Sequence, residues 1–299
     1  MSTLPFHRRK DVRLACRYLI AVLLAIVFVF PVYWLFIISF KTPDEIFAFP
    51  PVWYPKSLQL ANYKVLFKDG DAETVWNSLI LASVSTFFAM AFGTIAAYSL
   101  VRFKTGGENL AVWIISQRMM PPVAIVFPIF LLYVWLGWVD TYVGLIILYT
   151  AFSLPYVIWM MRGYIEDIPL ELEESALVDG CTRWEVLWKV VLPMARSGLF
   201  ATAVFTFVFA WNDFLFALVL TRTEVTTYTV QVTHYFGGQS NFWAKIAAMS
   251  VLGTIPVFIA VATMQRSSVD LPQPDGPTST VNSPDGTSRS MPFTAWKAP

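Results

Sequence analysis

Long apolar runs separated by short polar segments dominate this chain, and six of them reach the length needed to cross a bilayer. An apolar stretch of roughly 20 residues spans the hydrocarbon core as a helix rising about 1.5 Å per residue. The runs are Tyr18 to Phe40, Asn77 to Val101, Leu110 to Trp135, Tyr142 to Met161, Leu199 to Leu220 and Ile246 to Met264. The first carries no charge, is too long for a signal-peptide core and is followed by no small-residue cleavage site, so it reads as a retained helix. The pattern predicts an all-α integral membrane protein, a six-span helical bundle over residues 18–266. It is preceded by a basic segment, 1–17, and followed by a tail, 267–299, in which Pro, Ser, Thr, Asp and Gly replace apolar periodicity, as in disordered chains.

One polar loop, residues 162–197, departs from simple connection. Asp167 is placed to cap a helix whose second position is Pro169, tolerated there because a first-turn amide needs no intrahelical acceptor. That helix runs from Leu170 to Val178, and Gly180 suits a left-handed stop. Thr182 with Glu185 three residues on is a capping-box signature for a second helix that Pro193 helps to end. On that second helix Trp184, Leu187, Trp188 and Val191 form one apolar stripe on a segment too short to cross a membrane. On the first helix Glu171, Glu174 and Ser175 make a polar face beside small Ala176, suited either to solvent or to a groove on another protein, where carboxylates meet Arg or Lys.

Composition agrees with the pattern: 57% hydrophobic and 14% charged residues, with 25 Phe and 12 Trp in 299 residues, exclude an ordinary soluble domain. Trp34, Trp53, Trp76, Trp135, Trp138 and Trp243 fall near span ends, where aromatic side chains belt the interface. Basic residues set orientation. Arg8, Arg9, Lys10, Arg13 and Arg17 precede the first span and place the N-terminus in the cytoplasm. Six crossings then put Arg102, Lys104, the 162–197 loop and the C-terminus on the same side; Lys41, Lys56, Lys64 and Lys68 in the first external loop count against it but sit among acidic residues. Cys16 and Cys181 both fall on the inner side, where thiols stay reduced. A net charge of +1 without a basic aromatic-interleaved stripe gives no nucleic-acid partner. His7 and His234 form no His-Glu-x-x-His pair, and neither a phosphate loop nor a Gly-x-Ser-x-Gly elbow occurs, so no enzyme, metal site or cofactor is expected.

The order Ile168-Pro169-Leu170-Glu171-Leu172-Glu173-Glu174-Ser175-Ala176-Leu177-Val178-Asp179-Gly180, then Leu192-Pro193, resembles the Glu-Ala-Ala loop of ATP-binding-cassette importer permeases. Ser175 stands where that family has its first alanine. Ser39-Phe40-Lys41, Met119-Met120-Pro121-Pro122, Gly144-Leu145-Ile146, Trp211-Asn212-Asp213-Phe214 and Ile255-Pro256-Val257 resemble the maltose-type carbohydrate branch, over about residues 12 to 266. The resemblance implies a bacterial inner-membrane permease that moves a sugar or polyol inward, as a heterodimer with a second permease subunit. Cytoplasmic ATP-binding subunits and an extracytoplasmic sugar-binding protein are its further implied partners, with membrane lipid around it. It implies that the hairpin sits in a cleft of the ATPase and rocks the spans when ATP closes that cleft. Glu174, Ser175, Ala176, Asp179, Gly180, Leu192 and Pro193 are then the coupling residues. The polar segment from Arg222 to Trp243 would face the binding protein, and the tail after Arg266 departs from the family's usual end.

Ionisable and amide groups inside spans are costly and face a partner or a wet path. Gln117 and Arg118 lie in the third span, Asn212 and Asp213 in the fifth. Two readings stand together. Arg118 pairs with Asp213 and Asn212 bonds a neighbouring helix, or Gln117, Asn212 and Trp211 line a sugar path, amides bonding hydroxyls and an aromatic face stacking on a ring. Pro121, Pro122 and Pro128 predict a bend in the third span, whereas Pro31, Pro155 and Pro256 read as packing features. A secondary transporter driven by an ion gradient is the competing class. It calls for paired acidic residues at mid-membrane, and Asp213 is the only carboxylate within a span.

Overall fold

The computed structural model describes residues 6–236 and 242–269, and within them only the backbone of 6–13, 15, 108 and 264–269. Every regular element among the described residues is helical. α1 (Phe6–Ser39) begins well before the apolar run it contains, so part of the basic segment is helical too. The loop that follows folds into α2 (Pro43–Ile46) and α3 (Ala61–Lys68). α4 (Glu73–Arg102) is the second span. The third is split into α5 (Gly107–Ser116), a 3-10 turn at Gln117–Met119, and α6 (Pro122–Leu136). α7 (Tyr142–Glu166) is the fourth. The hairpin follows as α8 (Leu170–Val178), α9 (Arg183–Val186), a π-helical turn Leu187–Val191 and α10 (Leu192–Met194). α11 (Arg196–Trp211) and α12 (Leu215–Leu220) make the fifth span, α13 (Tyr228–His234) crosses the next loop, and α14 (Phe242–Val269) is the last.

Four of these helices are long and apolar enough to cross a membrane singly, and the number rises to six if each of two sharply bent pairs, 109–119 with 122–136 and 183–194 with 196–211, counts as one span. The bends fall where backbone donors are missing. Residues 109–119 and 122–136 meet at 90°, because Pro121 and Pro122 remove two amides in succession and the residue before a proline is pushed out of the helical region. Pro31, Pro155 and Pro256 stay inside continuous helices, as expected of packing features.

α4 and α7 form the closest pair in the bundle and α11 lies across both. Gly93 permits that approach: a Cβ there would fall 2.6 Å from Val157 Cγ1, so any larger residue separates the two helices. At one end of the pair, Ala97, Tyr98, Met161 and Ile165 close over Val186, Leu187 and Val191 of the hairpin. At the other end, Leu81, Leu145 and Tyr149 meet Val126 and Phe216. The apolar stretch of α1 packs beside α14 and, at its end, against Trp53 of the following loop; the rest is uncovered, a surface that lipid tails accept as readily as protein.

The loop after α1 is ordered by its own polar groups. Thr42 and Glu45 form a reciprocal capping box, and Glu45 also accepts from the Lys56 amide at 2.9 Å. Lys41, only 1% exposed, lies 4.2 Å from the Trp34 ring centre and donates to the Val52 carbonyl; burial pushes its ammonium pKa down. Asn62 and Tyr63 bond Ser39 at 2.9 and 2.8 Å. The Ser39-Phe40-Lys41 sequence is therefore the hinge on which this cap is built.

At the same end of the bundle, Asp140 adopts a left-handed φ of 59° and its carboxylate accepts the amides of Arg222, Thr223, Glu224 and Val225, at 2.9–3.2 Å. Burial pushes this carboxyl up, but the four amides outweigh burial and hold it below the ordinary carboxylate range. Residues 237–241 of the polar loop expected from Arg222 to Trp243 lie outside the described residues, as do 270–299 of the tail. α14 runs through 267–269, so the regular helix continues past the boundary drawn at Arg266.

Candidate functional site

The hairpin folds where the sequence places it. Gly180 takes φ +89°, and no atom lies within 4 Å of where a Cβ would be, so backbone conformation rather than space demands glycine there. Thr182 accepts the Glu185 amide at 3.3 Å and Glu185 returns the bond to the Thr182 amide at 2.8 Å. Lys189, 2.8 Å from Glu185, and Thr182 together hold the Glu185 carboxyl down to about 2. The start of the first arm differs from expectation. Pro169 is the cap residue and the helix begins at Leu170, while Asp167 closes α7 instead of capping α8. The second arm loosens into a π turn in which the Leu192 amide bonds the Leu187 carbonyl five residues back. Pro193 is the cause: it has no amide to give and its ring would collide with the carbonyl four residues earlier. The arm then turns by 79° into α11.

What holds the hairpin is a buried ion pair absent from the sequence reading. Glu173 is 0% exposed; Arg102 Nε meets its Oε1 at 2.6 Å and Tyr98 donates to its Oε2 at 3.0 Å. The Arg102 Nη2 also donates to the carbonyls of Ile165 and Ile168, both at 2.9 Å. One guanidinium thus ties the end of α4, the end of α7 and the first arm into a single unit. Arg183 of the second arm lies 5.8 Å from the Phe103 ring, adding a weaker tie to the same helix end. The consecutive carboxylates Glu173 and Glu174 are separated by face: the first points inward, the second to solvent.

Of the expected coupling residues, Glu174, Ser175, Asp179, Gly180 and Pro193 are exposed, while Ala176 and Leu192 are partly buried against the core. Ser175 Oγ donates to the Glu171 carbonyl at 2.7 Å, a local bond that leaves the helix intact. The stripe expected on the second arm divides. Leu187 and Val191 enter the core with Val186, and Trp184 and Trp188 remain exposed. Val178, 87% exposed at the tip, adds an apolar element to a face the sequence presents as polar.

A second polar locus lies at the span breaks. Arg118 and Asp213 do not pair: Asp213 accepts from Tyr149 at 2.9 Å and from the Ala217 amide at 3.2 Å, while Arg118 donates to the Phe152 carbonyl at 3.2 Å. Trp211 is 1% exposed, its indole N–H donates to the Gly253 carbonyl at 3.0 Å, and its ring stacks on Tyr228 with centres 4.8 Å apart. It is a core residue, and this removes it from any path lining. Gln117 and Asn212 are both exposed. Asn212 donates to the Val208 carbonyl at 2.8 Å, accepts from Tyr228 Oη at 3.3 Å, and borders a cavity of about 500 Å³ with Thr229, Thr233, Ser250 and Thr254.

Residues 89–268 match the family described as binding-protein-dependent transport system inner membrane component. The chain is 34% identical over 246 residues to a probable ABC transporter permease protein, y4oR, of Sinorhizobium fredii, covering 81% of this chain and 88% of that one. It is 31% identical to the trehalose/maltose transport system permease protein MalG of Thermococcus litoralis, covering 82% and 90%. In fold it resembles a chain from the crystal structure of a bacterial ABC transporter involved in import of the acidic polysaccharide alginate, with a TM-score of 0.75, 22% identity, and coverage of 88% and 99%.

Proposed function

Because this chain belongs to the family of binding-protein-dependent transport system inner membrane components, an inner-membrane permease family and not an enzyme family, we propose that it imports a carbohydrate by yielding to a partner ATPase at the 162–197 hairpin. The observation that carries this reading is the division of the hairpin into an anchored and a free face. Glu173 locks the first arm to α4 and α7, while Glu174, Ser175, Val178 and Asp179 point outward. A force on the free face is transmitted to two spans through a buried ion pair instead of being absorbed in a flexible loop. Ala176 serves this function from the inner side, its small side chain letting the arm lie close to the core, and Leu192 and Pro193 set the turn into α11. Glu174 and Asp179 are the polar contacts to the ATPase, and Gly180 is the bend.

The remaining parts follow from the same reading. The N-terminus and hairpin are cytoplasmic, a second permease subunit completes the path in a heterodimer, and an extracytoplasmic binding protein delivers the sugar. The carbohydrate class is supported by the relative named for trehalose and maltose, and Gln117 and Asn212 are the path residues that stay exposed. An ion-gradient mechanism finds no support in the span carboxylate, since Asp213 is already engaged by Tyr149 and the Ala217 amide.

Purification of the chain with its partner subunits tests the reading. A co-purifying ATPase whose hydrolysis rises with sugar-loaded binding protein is expected; uptake driven by an ion gradient without ATP would overturn it.

A further inference from the structure

Arg118 sits in the 3-10 turn between α5 and α6, where the chain from Gln117 to Pro121 is exposed at the break of a span. Its guanidinium lies 5.2 Å from the Phe209 ring centre and 5.9 Å from that of Tyr156. Those two rings meet edge to face, 5.6 Å apart at 74°, and form a corner between α11 and α7. Nη1 donates to the Phe152 carbonyl, whereas Nε and Nη2 donate to no group among the described residues, and no carboxylate there lies within ion-pair distance. Aromatic faces and one carbonyl orient a guanidinium without neutralising it. An arginine so held within a span keeps its charge and part of its donor fork, and it is disfavoured against lipid tails.

Phe209 is exposed on α11, three residues before the exposed Asn212 that ends this helix. Arg118 against Phe209 thus brings the break of the third span to the end of α11, and the exposed amides of Gln117 and Asn212 flank that contact in sequence. A single carboxylate on a partner helix would need the guanidinium alone. Two amides and an arginine together fit a ligand with many oxygen acceptors.

Resting on the carbohydrate-import reading above, we propose that Arg118 is a substrate-contacting residue, presenting Nε and Nη2 to hydroxyl or carboxylate oxygens of the carbohydrate as it passes between the two broken spans. Gln117 and Asn212 supply flanking hydrogen bonds. The chemistry is donation to sugar oxygen, and whether that oxygen is neutral or anionic is read by the probes.

The test uses the full transporter in proteoliposomes, with Cys16→Ser and Cys181→Ser as background. Arg118→Cys is expected to react with a charged, water-soluble methanethiosulfonate reagent, and more slowly in the presence of whichever of trehalose, glucitol or glucuronate the wild type imports. Arg118→Gln is expected to lower import of that probe at least tenfold and to raise the ATP hydrolysed per sugar moved. Arg118→Lys should fall between, since it keeps the charge but loses the fork. Recovery of the assembled complex on size exclusion separates this from a subunit-pairing role, in which Arg118→Gln would dissociate the complex. A thiol that never reacts, a complex that dissociates, or an Arg118→Gln import rate within twofold of wild type overturns the proposal while leaving import standing. Failure of the wild type to import any of the three probes removes the carbohydrate reading and this proposal with it.

Discussion

Glu173→Gln and Arg102→Leu strike the contact on which transmission through the hairpin depends, and the two should not cost the same. Breaking a buried ion pair by removing one partner costs about 3–5 kcal/mol. In Glu173→Gln, the Arg102 guanidinium keeps its two carbonyl acceptors on Ile165 and Ile168, so the loss should fall near the low end, about 3 kcal/mol. In Arg102→Leu a buried carboxylate is left with the Tyr98 hydroxyl as its remaining donor, and both carbonyls lose their partner. That loss should approach about 5 kcal/mol. At about 1.4 kcal/mol per tenfold, the first corresponds to roughly a hundredfold rise in the population of the detached hairpin. Hydrogen exchange of the amides in 170–178, measured in the assembled transporter, reads that population directly. Sugar-stimulated ATPase activity and uptake should fall together. The double variant Glu173→Leu/Arg102→Met, which removes the unpaired buried charge but still leaves the Ile165 and Ile168 carbonyls without their donor, should recover part of the protection lost in Arg102→Leu. Unchanged exchange in both single variants, or equal losses with no recovery in the double, would refute the assignment of the pair as the hairpin's anchor.

Other consequences are more local. Gly180→Ala forces an L side chain into a left-handed conformation with φ +89° and should destabilise the hairpin by about 1–2 kcal/mol; Gly180→Asn should be milder, as hydrogen exchange at 177–182 will show. Thr182→Ala removes one half of the capping box and should cost about 1 kcal/mol, measured the same way, with little effect on the first arm. Asp140→Asn should loosen 222–225, and low pH should do likewise. The folded carboxyl titrates below the unfolded value of about 3.9, so its contribution is fully present above that value and is lost as pH falls through the lower folded one. Limited proteolysis at 222–225 between pH 6 and pH 3 checks this, and a cleavage rate that does not rise would count against the clamp.

The strongly patterned parts of the fold were legible in the sequence. Uncharged runs marked the continuous spans, and Gly180 and the Thr182–Glu185 box fixed the hairpin because their signals are local: one backbone angle and one pair of side chains three residues apart. The break after Ser116 was legible from its prolines, although its angle was not. The anchor was not readable, since Glu173 and Glu174 are adjacent and alike, and only the pairing with Arg102, 71 residues earlier, turns one inward. The place of Trp211 was not legible for a similar reason. An aromatic beside two polar residues fits a sugar platform as well as a core, and the Gly253 carbonyl and Tyr228 ring that decide the matter come from other elements. The stripe of the second arm divides along its length because Leu187 and Val191 lie on the side that meets the core and Trp184 and Trp188 on the side left exposed, a choice made by packing and not by spacing. The Thr42–Glu45 box has the same local signature as Thr182–Glu185, although it lies among prolines.

The central claim is that the free face of the hairpin lies in the cytoplasm, covered by an ATP-binding subunit. Val178→Cys, with Cys16 and Cys181 replaced by Ser, places a thiol at the most exposed apolar position of the hairpin. A membrane-impermeant thiol reagent should leave it unlabelled in intact cells, label it in inside-out vesicles stripped of ATPase, and lose that labelling when the ATP-binding subunits are restored. Labelling from the outer face of intact cells, or labelling in vesicles that the ATPase does not reduce, would contradict the account.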